Sequence, residues 1–239
     1  MFKRYIVFLF AFIAVSGSIS AQVRPGIKMG YNLSGVMAED KASRSQNQSG
    51  NPDNFKLNHG FQFGLIADYP INDALALQPG AKFALMGFTD EYRPNLPELR
   101  RFHLYYLQVP VNVQYRLNVA EETNLLFQAG PYVGFGLFGR QTFIQNANTQ
   151  ELNDDRKKID YGNDTPRLDY GVGAGFGIEF HRFQFMLAYD FGLNKKNFEK
   201  GRGKSWGFLY DMDMQHQSFS VTLGIIFGRR DPLQHVRDF

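Results

Sequence analysis

The feature that most constrains this chain is a period of two in its hydrophobic pattern, repeated in eight separate stretches. In FQFMLAYDF (183–191), Phe183, Phe185, Leu187, Tyr189 and Phe191 share one parity, and Gln184, Met186, Ala188 and Asp190 the other. LQVPVNVQYRL (107–117) sets Leu107, Val109, Val111, Val113, Tyr115 and Leu117 against Gln108, Pro110, Asn112, Gln114 and Arg116. SFSVTLGIIF (218–227) repeats the pattern, with Phe219, Val221, Leu223, Ile225 and Phe227 on the apolar side. Successive side chains of a strand point to opposite faces, so each stretch reads as a strand with one apolar and one polar face. PGIKMGYNL, GFQFGLIADY, LALQPGAKFAL, LLFQAGPYVGFGL and DYGVGAGFGIEF supply the other five, and no convincing amphipathic helix lies between them.

A soluble sandwich also alternates, but its polar face carries many charges into water. Here the polar parity is rich in Gly, Gln, Asn and Ser with isolated charges: Lys28, Lys82 and Arg116 against Asp68, Asp169, Glu179 and Asp190. That near balance suits a narrow interior, because an unpaired buried charge costs several kcal/mol. Eight strands close into a barrel just wide enough for side chains to fill. The connections alternate as well. PINDA, NVAEET and HR are tight, whereas the others, such as the polar run 34–58, are long. Short turns at one end, long loops at the other and an even strand count predict an all-β, eight-stranded antiparallel transmembrane β-barrel of the outer-membrane type. The apolar parity then faces lipid, and Phe180, Phe183, Tyr31, Tyr69, Tyr115 and Tyr189 are expected at the membrane interfaces.

The N-terminus agrees with export. Lys3 and Arg4 precede an apolar run (5–15) and a small-residue zone ending at Ala21, which together read as a signal peptide over 1–21. That run is short for a membrane-spanning helix, which needs about 20 residues, so an uncleaved anchor is the weaker reading. Loss of Lys3 and Arg4 takes the formal charge from +3 to +1, so the basic pI gives no argument for nucleic acid. With no cysteine there is no disulfide framework, and stability has to come from a core or a closed sheet. The expected organisation is signal peptide 1–21, barrel 22–227 and a periplasmic tail 228–239, in the cell outer membrane.

Four motifs, GIKMGYN (26–32), YLQVP (106–110), GPYVGFGL (130–137) and DYGVGAGFGIEF (169–180), resemble the PorT-like porin family of Bacteroidota outer-membrane barrels. The resemblance extends over essentially the whole chain after residue 21 and rests on the order and spacing of individually loose motifs. It implies a small barrel with both ends in the periplasm. The family's founding member takes part in secretion and maturation of exported proteins; no residue here identifies that role. The chain departs from the usual barrel ending on a closing aromatic: its last strand ends at Phe227 and GRRDPLQHVRDF follows. Either Phe227 is the mark read by the barrel-assembly machinery or the tail folds back.

Few residues suggest chemistry. GFGLFG (134–139) satisfies G-x-G-x-x-G, but a dinucleotide site needs a helix opening there, and RQTFIQNANTQE has no helical face. Gly134 and Gly136 instead share the inward parity, as do Gly171, Gly173, Gly175 and Gly177, and these glycines are expected to face the bulkiest interior side chains. His59, His103, His181, His216 and His235 lack metal-ligand spacing and are expected at strand ends, turns or the tail. A rim enzyme would draw on Asp90, Glu91 and His103 with Asp211, Asp213 and His216, but no nucleophile stands among them. No catalytic, cofactor-binding or metal site is therefore expected. Lys195, Lys196, Lys200, Arg202 and Lys204 read as a solvated loop, with contact to lipopolysaccharide phosphates as the sharper alternative. The N-x-[ST] triplets at Asn32, Asn47 and Asn163 carry little weight in such a protein. Pro79, Pro110 and Pro131 fall inside strands and are expected to mark bulges. The expected function is non-enzymatic: membrane integrity, surface contact or support of protein export, in contact with outer-membrane lipid, the assembly machinery and secretion-system proteins. A narrow channel for small solutes is the alternative.

Overall fold

The computed structural model describes residues 23–40, 55–93, 98–146, 151–152, 157–162, 164–195 and 212–228. The expected signal peptide, the tail beyond Gly228, most of the long connections, Asn47, Asn163, Asp211 and the basic run after Lys195 lie outside them. So do the side chains of Glu91 and Asp213.

The described residues form ten strands: β1 (Arg24–Asp40), β2 (Phe55–Pro70), β3 (Leu75–Arg93), β4 (Glu98–Ala120), β5 (Thr123–Asn146), β6 (Glu151–Leu152), β7 (Lys157–Ile159), β8 (Leu168–Phe180), β9 (Phe183–Gly192) and β10 (Met212–Ile226). Eight make the wall. Each pairs antiparallel with its neighbours in the order β4, β3, β2, β1, β10, β9, β8, β5, and β4–β5 pairing closes the ring. Closure leaves no sheet edge, the only way a sheet keeps its backbone hydrogen-bonded in hydrocarbon. The fold is thus the expected closed, eight-stranded antiparallel barrel. β6 and β7 are additional: they pair with the upper part of β5, above the point where β8 leaves it at Phe135–Leu168.

The short connections lie together at one end. Ile71–Ala74, Glu121–Glu122 and His181–Arg182 join β2–β3, β4–β5 and β8–β9. Glu122 and His181 hold positive φ (59° and 55°), which lets these tight turns reverse the chain without glycine, and their side chains meet across the two turns. Arg24 and Phe227 sit at this same end, where the Phe227 N–H donates to the Pro25 carbonyl at 2.7 Å. The closing strand ends one residue earlier than expected, at Ile226, and Phe227 follows it with its side chain exposed.

Through the apolar band, side-chain parity follows the alternation on every wall strand. Ile27, Met29, Phe61, Phe63, Val109, Phe127, Phe176, Phe185 and Leu223 are exposed, whereas Gln62, Asp68, Gln108, Gln114, Arg116, Asp169 and Glu179 are buried. On β4 the outward apolar residues run unbroken from Leu107 to Leu117. That is about 33 Å along the strand and about 25 Å at the usual tilt, the height of an outer-membrane apolar band.

The prolines correct one expectation. The ladder lapses around Gly80–Pro110 and Val111–Pro131, yet the register on either side is the same. No bulge forms there; the missing proline N–H groups leave unbonded pairs in a continuous ladder. A register shift does occur where no proline stands, between Tyr105 and Tyr106 on β4, opposite Leu137. The extra residue inverts the parity above it. Gly136 and Gly139 consequently both face inward, although they are three residues apart.

Candidate functional site

The barrel interior collects the polar parity of all eight wall strands and is filled in layers. Nearest the short turns lies an ion-pair belt with Asp68 at its hub. Arg24 reaches one Asp68 oxygen through Nη2 at 2.5 Å and Nε at 3.1 Å, and Arg116 Nη2 reaches the other at 2.5 Å. Gln78 also donates to Asp68, at 3.2 Å. Glu179 lies 3.6 Å from Arg116 Nε and accepts from Gln184 at 2.7 Å and Asn124 at 3.2 Å. Lys28 donates to Gln78 at 2.6 Å. Strands β1 to β5, β8 and β9 all deliver belt residues at similar height, so the belt spans the bore from wall to wall.

Above the belt, Lys82 pairs with Asp190 at 2.6 Å beside a cavity of about 70 Å³. Lys28, Gln62, Asn112, Gln128, Tyr132 and Thr222 are among the residues that line it. At roughly 10–15 Å³ each, it has room for about five waters. Up to this level the bore holds the basic side chains of Arg24, Lys28, Lys82 and Arg116 and the acidic ones of Asp68, Glu179 and Asp190, with Asp169 next. The inward charges read from the sequence are all inside. Arg24 joins them without a sequence signal, because it precedes the first apolar residue of its alternating stretch.

Asp169, His216, Tyr106 and Tyr161 form the next layer. His216 Nδ1 stands 3.6 Å from Asp169, and the Tyr106 ring meets both His216 and Tyr161 edge-on, at 5.6 and 5.5 Å. His216 is therefore buried inside the barrel, contrary to the expectation of a strand-end residue in solvent. Its stretch reads as charged and irregular, while register with β1 carries the strand down to Met212. Above it packs a cluster of apolar side chains, Val36, Met86, Phe88, Phe102, Leu104, Ile159 and Met214, with Phe88 and Phe102 stacked at 4.5 Å and the buried Asn58, Asp90 and Gln141 beside them.

Ile159 and Tyr161 in these layers come from the long connection after β5, which folds back into the bore. Its turn is held by Asp160 N–H to the Asp164 carboxylate at 2.8 Å, and by Arg167 to the Tyr161 carbonyl at 3.1 Å. A Cβ on Gly136 would overlap the Tyr161 ring, and one on Gly139 would lie 3.0 Å from Ile159 and Leu104. Two glycines of GFGLFG are thus the recess that seats this infolded segment. Of the other glycines, Gly171 faces Tyr132, but Gly173 faces Asp190 and Gly175 faces Ala188, so the expected match to the bulkiest residues holds in part.

Among the described residues, the rim candidates do not converge. Asp90 is buried inside, His103 is on the outward parity of β4, and His216 lies deep in the bore. His59 and His181 stand at the outer surface, the former bonded to Tyr31.

The model of the outer membrane protein beta-barrel domain family matches residues 13–196. No curated protein matches the chain. Among solved structures, Ail of Yersinia pestis in complex with the heparin analogue sucrose octasulfate is 15% identical with a TM-score of 0.38, over 86% of this chain and 99% of that one. OprG from Pseudomonas aeruginosa is 11% identical with a TM-score of 0.43, over 87% and 98%. The outer membrane protease OmpT from Escherichia coli is 8% identical with a TM-score of 0.43, over 89% and 100%. With the closed barrel, its lipid-height apolar band and the family match over most of its length, the chain belongs to the outer membrane protein beta-barrel domain family and resides in the outer membrane.

Proposed function

We propose that this barrel is non-enzymatic and acts through its surfaces, with a bore that is a packed structural core and passes no solute. The observation that carries this reading is the double obstruction of the lumen by the Asp68 belt and by the apolar layer around Phe102. A charged solute would have to displace paired groups without replacing their partners, and then pass the apolar side chains packed around Phe102. The separation of His103, on the outer face, from Asp90 and His216, inside the bore, supports the absence of catalysis. Proteoliposomes holding the refolded barrel should not swell in isotonic small sugars or amino acids. Swelling at a rate proportional to protein would favour a narrow channel instead.

The finer assignments belong to the same proposal. The quoted motifs favour a PorT-like porin of Bacteroidota, made with a signal peptide over 1–21 and carrying a periplasmic tail over 228–239. Its role is membrane integrity, surface contact or support of protein export, with outer-membrane lipid, the assembly machinery and secretion-system proteins as partners. In-cell crosslinking followed by co-purification tests this: recovery of lipid and assembly factors alone would remove the export role.

A further inference from the structure

Above the apolar band the outward face of β4, β5 and β7 changes character. On β4, Leu107 is followed upward by Tyr105, His103 and Arg101; on β5, Phe138 is followed by Arg140. The register places His103 opposite Arg140 and Arg140 opposite Lys158, so the three strands form one row of basic side chains, with Arg101 one pleat higher. Directly beneath, Tyr105 and Phe138 stack at 4.2 Å. Facing residues of neighbouring strands have Cβ atoms about 5 Å apart, and like charges so placed destabilise a sheet. Among the described residues, the ion pairs leave Arg101, His103 and Arg140 without an acidic partner; only Lys158, at the margin, pairs with an acid, Asp160 at 3.5 Å. The positive field is felt locally. Burial first, then Arg101 and Arg140, hold the His103 imidazole below its ordinary value.

We propose that Arg101, His103 and Arg140 bind the phosphate-bearing headgroup of an outer-leaflet lipid, with Tyr105 and Phe138 against the start of its acyl chains. Three observations converge on this occupant. The cluster lies just past the end of the apolar band, at headgroup height on the long-loop side, which faces outward in such barrels. Two guanidinium forks offer the bidentate donors that suit a phosphate. The aromatic pair below stands where rings prefer to sit, between hydrocarbon and headgroup. The inference rests on the outward band being lipid-facing and is independent of a sealed bore, so conductance would refute the one and leave the other standing.

The test uses the full mature chain refolded in detergent and offered lipid A, either phosphorylated or enzymatically dephosphorylated, with bound lipid counted by native mass spectrometry. Wild type should retain the phosphorylated form and release the other. Arg101→Gln combined with Arg140→Gln should weaken retention about a hundredfold, roughly tenfold for each guanidinium–phosphate hydrogen bond removed. Arg182→Gln, a change at the opposite end, should leave retention as in wild type. Equal retention by the double variant, or equal binding of dephosphorylated lipid, overturns the proposal, as does full displacement by millimolar inorganic phosphate. Should the double variant fail to fold, the His103 resonance of wild type decides: phosphorylated lipid must raise its midpoint, and an unmoved midpoint refutes the site.

Discussion

Asp68→Asn is the sharpest perturbation of the belt because it keeps the shape of the side chain and deletes only its charge. Two buried guanidinium groups, those of Arg24 and Arg116, lose their 2.5 Å partner, and only Glu179, 3.6 Å from Arg116, remains close. Removing one member of a buried pair costs about 3–5 kcal/mol, since the remaining charge stays desolvated. Total stability of a folded domain is about 5–15 kcal/mol, so the loss should be plain in urea titrations of the barrel in lipid vesicles, read by heat-modifiable gel mobility. A second change discriminates charge balance from packing. Arg116→Gln in the Asp68→Asn background removes the stranded cation, so the two losses should fall short of additivity by about 1–3 kcal/mol. The exposed pair Lys158–Asp160 is the control, where Asp160→Asn should cost less than about 1 kcal/mol. An Asp68→Asn barrel within about 1 kcal/mol of wild type would refute the view that these charges are desolvated, because only solvated pairs are that weak.

Further outcomes follow from the upper layers. Gly136→Leu drives a side chain into the Tyr161 ring and should cost more than the about 1–3 kcal/mol typical of overpacking, with part recovered by adding Tyr161→Ala; unchanged urea midpoints would contradict the infolded segment. Phe102→Ala opens the stack with Phe88 and should destabilise by about 3–5 kcal/mol in the same titration. In detergent free of phosphorylated lipid, the lowered His103 value means the unfolded chain binds its proton first as pH falls. Stability should therefore decline below about pH 6.5, and His103→Gln should flatten that decline.

The wall is legible in the sequence because alternation is local: residue parity alone places Asp68, Arg116 and Glu179 inside and Phe63, Val109 and Phe185 outside. The strand ends are not, because β4 and β5 continue past the apolar band, where nothing selects one face over the other. Three features depend on tertiary placement and leave no periodic trace. The parity inversion near Leu137 is a count of two residues against one across strands. Ile159 and Tyr161 enter the bore from a connection whose local sequence, KKIDYGND, reads as a polar loop. His216 is buried because β1 extends upward to meet it. The triplet spacing Gly136–Gly139, which first suggests a nucleotide loop, is the imprint of the inversion and of the infolded segment together.

A bore that is a filled structural core should not conduct, and single-channel recording of the refolded barrel in planar bilayers tests this most directly. No steady conductance is expected for wild type, Lys82→Gln or Arg116→Gln. A stable ohmic conductance in wild type, altered by either substitution, would show that ions cross the belt and would contradict a filled core.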